Sequence, residues 1–150
     1  MSLYTEITVR FQQQHAEMAA ALEGLPAEAL DWVPGPEMNS IAGLIVHTLG
    51  SERRLLGGLA LQDPPAGPRQ EEFGLRGLGA EELKARLAAA DAWLGSAEAR
   101  LATLNPDDKR IARNNQERTV AWAILHALEH SAEHLGHIQL TRQLWQQQAK

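Results

Sequence analysis

The chain has 150 residues, a formal net charge of −5 and no cysteine. That length fits one domain spanning 1–150 with a core large enough to need no covalent staple, and the missing cysteine excludes disulfides, thiolate metal sites and cysteine nucleophiles. The acidic balance opposes a nucleic-acid partner, which favours a basic face, while the absence of a signal-like or membrane-length apolar run predicts a cytoplasmic protein with no membrane association.

Four segments carry helical periodicity, and no convincing strand alternation is found between them. The first is predicted from Leu3 to Glu23. Tyr4, Ile7, Phe11, Met18 and Leu22 share one stripe, Ser2 is a plausible cap, and Gly24-Leu25-Pro26 is the stop. His15 falls on the same stripe and is expected to point inward. A short helical turn is expected over 26–30, before the breakers Pro34-Gly35-Pro36. The second long segment is predicted to start at the cap-forming pair Asn39-Ser40 and to reach about Leu59, carrying His47 in its second turn.

Residues 61–79 are rich in Pro and Gly and make a long link for a helical bundle. A link of that length suits a crossover between helices 2 and 3 running in the same direction. The third segment, from Ala80 to Leu104, has Leu83, Leu87, Ala90, Leu94, Ala97, Leu101 and Leu104 at alternating spacings of four and three, a bundle seam. A polar loop after Asn105-Pro106 leads to the fourth segment, from about Thr119 to Gln147. The expected fold is all-α, a four-helix bundle with one long crossover.

The fourth segment holds four of the six histidines. Taking His126 as reference, His130, His134 and His137 lie about 40°, 80° and 20° round the helix. All four share one narrow face, flanked by Val120, Ile138 and Trp145 on one side and by Trp122 and Leu140 on the other. Crowded imidazolium ions repel, so imidazoles packed on a partly apolar face favour a cation that accepts their lone pairs. A pair spaced i, i+4 such as His130 and His134 can bind one metal ion. A third ligand must come from another helix, where His47 and His15 are the only histidines. Taken singly, each histidine reads as an ordinary hydrogen-bonded residue; as a cluster they read as a metal site.

Two familiar arrangements fail on these residues. Di-iron bundles need Glu-x-x-His on two helices, and no histidine of the fourth segment has Glu three positions before it. The His-x-x-Glu-His pattern of inverted zinc peptidases occurs twice, at His126 to His130 and at His130 to His134. Those enzymes need a further acidic ligand, and no Asp or Glu follows His134. Glu129 or Glu133 remains available as an outer base.

Three stretches in this order resemble the DinB/YfiT-like family: Trp32-Val33-Pro34 followed by Asn39-Ser40-Ile41-Ala42-Gly43-Leu44-Ile45-Val46-His47; Thr119-Val120-Ala121-Trp122; and His130-Ser131-Ala132-Glu133-His134-Leu135-Gly136-His137-Ile138. The third is the most specific, and it differs from the family pattern where His137 replaces the usual Gln. The resemblance implies a metal triad of His47, His130 and His134, a four-helix bundle with a long link, and a homodimer. It also implies, for some relatives, transferase or isomerase chemistry with low-molecular-weight thiols such as mycothiol, bacillithiol or glutathione.

Three imidazoles leave an open position on a divalent ion, zinc or nickel by expectation, where a water or thiol can ionise near neutral pH. The leading functional expectation is a metal-dependent enzyme that adds a small thiol to an electrophilic small-molecule substrate, with Glu133 or His137 as catalytic proton carrier. The alternatives are metal-assisted hydrolysis, a non-catalytic metal-binding or stress-related bundle, and haem held by two histidines.

Overall fold

The computed structural model describes residues 2–65 and 72–148 of the chain. Residues 66–71, in the middle of the predicted link, lie outside the described residues. The molecule is mostly helical. Helix α1 spans Leu3–Ala21, the short α2 Ala27–Asp31, α3 Ile41–Glu52, α4 Ala80–Leu101 and α5 Val120–Gln148. Helix α3 continues without a break into a π-helical segment, Arg53–Ala60.

The expected caps are in place. Ser2 Oγ accepts from the Thr5 amide and Ser40 Oγ from the Gly43 amide, each at 3.1 Å. Thr119 Oγ1 accepts from the Trp122 amide at 3.0 Å and so opens α5. Each satisfies an amide that the first helical turn leaves without a partner.

One expectation needs correction. The loop before α5 contains a β-hairpin, β1 Lys109–Ile111 paired antiparallel with β2 Glu117–Thr119, in the register Lys109 with Thr119 and Ile111 with Glu117. Its strands are three residues each and carry mostly charged side chains, so no apolar alternation marks them. Asn115, with φ of 59°, makes the turn, a conformation that Asn tolerates better than most residues. The hairpin is fastened to α5 by the Val120 and Ala121 amides, which bond to the carbonyls of Asp108 and Pro106.

Helix α1 packs on α4 and α5, α3 on α4 and α5, and the π-helical segment on α5. The core lies in two clusters. One gathers Met18, Leu22, Ile41, Ile45, Leu83, Leu87, Leu135 and Ile138; the other gathers Phe11, Leu56, Leu94, Leu101, Val120, Ile124 and Ala127. Along every long helix a buried or half-buried polar residue separates the clusters: His15 in α1, Glu52 in α3, Asp91 in α4 and Ser131 in α5. His15 Nε2 lies 2.9 Å from Glu52 Oε2 and its Nδ1 2.6 Å from Asp91 Oδ1. Burial by itself would lower the His15 pKa, but the Glu52 and Asp91 carboxylates outweigh it and hold the imidazole above its ordinary value. Three helices are thereby joined through one imidazole ring at mid-height.

No described helix is long and apolar enough to cross a membrane.

Candidate metal centre

The same mid-height level carries the clustered histidines. His47, buried on α3, faces His130 and His134 on α5. His130 Nε2 sits 3.2 Å from His47 Nε2 and 3.1 Å from His134 Nε2. Each of the three offers one ligand atom, all within 4.8 Å of one another, so they can hold a metal ion. Helical periodicity explains the α5 pair, since residues four apart stand one above the other on a helix face. Helix α3 brings His47 opposite them because Ile41 and Ile45, which point into the core, fix its rotation.

Proton bookkeeping supports a cation. A Glu72 carboxylate oxygen lies 3.0 Å from His47 Nδ1. A carboxylate only accepts, so His47 donates through Nδ1 and turns its Nε2 towards the other rings. Burial, and then the charges that His134, His47 and His126 would carry, push His130 down to about 4, so it is neutral in ordinary buffers. His134 is also lowered, by burial first and then by His47 and His137, with Glu133 opposing. One neutral His130 Nε2 cannot donate to both neighbours at once. Three ring nitrogens that meet this closely could each turn a lone pair to one divalent ion.

Glu72 is itself held in place. Arg54, in the first turn of the π-helical segment, grips its carboxylate with both terminal guanidinium nitrogens, Nη2 at 3.1 Å from Oε2. Phe73 stacks on the His47 ring with centroids 4.3 Å apart. Gly50 makes room, because a Cβ at that position would collide with Glu72 Oε1. A ligating histidine anchored by a carboxylate through its far nitrogen is the usual outer arrangement of metal sites.

The other expected site residues are placed less centrally. His137 is exposed, with Nδ1 3.3 Å from His134 Nδ1, and it lines a separate pocket of about 170 Å³ with Met38, Leu44 and Leu140. Glu133 is exposed and acts on His134 only through its charge. His126 stacks on Trp122 at 4.6 Å and lies 3.6 Å from Glu129. His15 belongs to the core ion pair and not to the triad.

Glu72, Arg54 and Phe73 have no counterpart in the sequence reading. Glu72 and Phe73 lie in the proline- and glycine-rich link, where no periodicity assigns a side chain to a face. A cleft of about 510 Å³ opens beside His130, lined by Ser51, Arg54, Leu55, Leu59, Trp122 and His126 together with the hairpin turn. The triad therefore borders a space large enough for a small molecule.

A search of curated proteins finds no match to the sequence. Among solved structures, the fold is similar to a conserved protein from Enterococcus faecalis, with a TM-score of 0.79 over 96% of this chain and 97% of that one, at 16% identity. A likeness at that identity speaks for the fold alone. The DinB superfamily profile matches residues 10–138, which includes the whole histidine triad, all of α3 and α5 as far as Ile138. The chain belongs to the DinB superfamily.

Proposed function

We propose that the protein is a cytoplasmic metal-dependent enzyme, a four-helix bundle that holds one divalent ion, zinc or nickel, on His47, His130 and His134. The observation that carries this reading is the convergence of three imidazole nitrogens from two helices beside an open cleft. The pairing of α1 with α4 and α5, and of α3 with the same two helices, supports a closed bundle with a crossover between α3 and α4. When bound, a divalent ion supplies a Lewis acid that ionises a coordinated water or thiol near neutral pH.

The reaction proposed is addition of a low-molecular-weight thiol to an electrophilic small molecule. The thiol proton leaves to a base, sulfur bonds to the electrophilic carbon, and in an unsaturated ketone the proton ends on the carbon beside the carbonyl. Of the two candidate proton carriers, His137 touches the triad, with Nδ1 3.3 Å from His134 Nδ1, whereas Glu133 acts on His134 through its charge. Leu55, Leu59 and Trp122 form an apolar wall on one side of the cleft, and Arg54 with Glu72 fixes the His47 ring.

A second reading also has support, since an ion on this triad would join α3 to α5 and could serve as a staple. Cobalt(II) substitution separates the two. With an exchangeable position, adding a thiol such as glutathione produces a sulfur-to-metal charge-transfer band, which in a chain without cysteine arises only from the added thiol. A staple gives no band and a lower melting temperature on chelation. If thiols leave the cobalt spectrum unchanged, thiol transfer is wrong and a metal-binding bundle remains.

A further inference from the structure

We infer that the cleft beside His130 is a binding site for small organic anions, with Arg113 as the residue that recognises the anionic group of the substrate. This inference rests on the reading of the triad as a catalytic metal site and names the class of molecule admitted to it.

The chain as a whole is acidic, at −5, yet among the described residues no Asp or Glu lines this cleft, whereas Arg54 and Arg113 both do. Arg54 is neutralised by Glu72. Arg113 is not: among the described residues no carboxylate pairs with it. Arg118, two positions before α5, likewise bonds only to the Glu117 carbonyl and the Gln116 side-chain oxygen, and its guanidinium lies 4.7 Å over the Trp122 ring that walls the cleft. Cations that no carboxylate neutralises, beside a low-dielectric wall, focus a positive potential there, in a protein whose overall field repels anions.

The position of Arg113 is built and not incidental. It stands in the turn of the β1–β2 hairpin with Asn114, and the hairpin is tied down on both sides. Ala112 donates to the Gln116 carbonyl at 2.8 Å, and Arg110 Nε donates to the Ala60 carbonyl of the π-helical segment. A planar guanidinium presented this way matches a carboxylate with two parallel hydrogen bonds. Leu55, Leu59 and the stacked Trp122–His126 pair give the cleft an apolar and aromatic wall, beside the polar Ser51 and Asn114 and with His130 of the triad at the same cleft. The chemistry that fits is a molecule with an apolar or aromatic body and a carboxylate at one end, which Arg113 holds while the body lies along Trp122 towards His130.

The test uses the metal-loaded protein and two probes of one shape, 3-phenylpropionate and its uncharged amide, followed by ligand-detected NMR. The acid should bind at least about tenfold more tightly than the amide, and Arg113→Gln should remove that preference while Arg113→Lys keeps part of it. Arg113 is exposed, so neither change threatens folding. Trp122→Phe should abolish the quenching of tryptophan fluorescence by the acid while leaving the Arg113 effect intact. Equal binding of acid and amide, no binding of either, or an acid preference unchanged in Arg113→Gln would each overturn the inference. Metal content is measured on the same samples. A protein that prefers the acid but takes up no metal refutes the metal reading and leaves the anion site standing. Metal uptake without acid preference does the reverse.

Discussion

At the scale of single residues, Glu72 decides which nitrogen of His47 faces the other two imidazoles. Removing its charge should weaken metal binding without removing a ligand. Glu72→Gln is expected to lower affinity by about 10- to 100-fold, measured by competition with a chelator. Gly50→Ala should act in the same direction, since its methyl group displaces the Glu72 carboxylate. An affinity unchanged in both variants would remove Glu72 from the account. His15 has a different role. It is buried between Glu52 and Asp91, and its pKa is raised above 6.5. A group whose folded pKa is raised adds stability that is complete below its unfolded value and is lost as pH climbs through the folded one. His15→Gln should therefore cost about 3 kcal/mol near pH 6, because Glu52 is left buried without its cation. The difference from the parent should shrink as pH rises. Denaturant unfolding of both proteins across that range, with chelator present, checks the sign; a difference that grows with pH would contradict it.

At the scale of elements, α4 contributes core but no ligand. Leu94→Ala should cost about 3 kcal/mol through the cavity it opens, and metal content in the folded fraction should stay the same. A loss of metal from that variant would mean that the site depends on global packing more than on α3 and α5. The helices and caps were legible because periodicity and Ser2, Ser40 and Thr119 are local signals. Histidine spacing on α5 was legible for the same reason, while His47 was chosen over His15 only through a family resemblance. In the structure His15 is taken up by Glu52 and Asp91, a pairing across α1, α3 and α4 that no single helix announces. The hairpin was missed because strands of three mostly charged residues present no apolar face. Glu72 was missed because a carboxylate in a proline- and glycine-rich link has no period to place it, although an arginine in the helix before it, Arg54, was available as a partner. The cleft belongs to that same class of feature, since its walls come from the π-helical segment, the hairpin turn and α5.

At the scale of the whole molecule, α5 is covered by α1, α3 and the π-helical segment, yet Leu125 stays 63% exposed and Leu140 48%. We propose that a second copy of the chain covers this face in a homodimer. Light scattering at micromolar concentration should give twice the chain mass, and replacing both Leu125 and Leu140 by Glu should give a monomer that still binds metal. A single-chain mass for the parent protein would contradict the proposal. The central claim is that one divalent ion sits on His47, His130 and His134. It is tested most directly by the metal-to-chain ratio, from elemental analysis of the native protein beside its His47→Ala, His130→Ala, His134→Ala and His126→Ala variants. The account predicts about one ion per chain in the native protein and in His126→Ala, and little in the other three; metal content in His134→Ala equal to that of the native protein would contradict it.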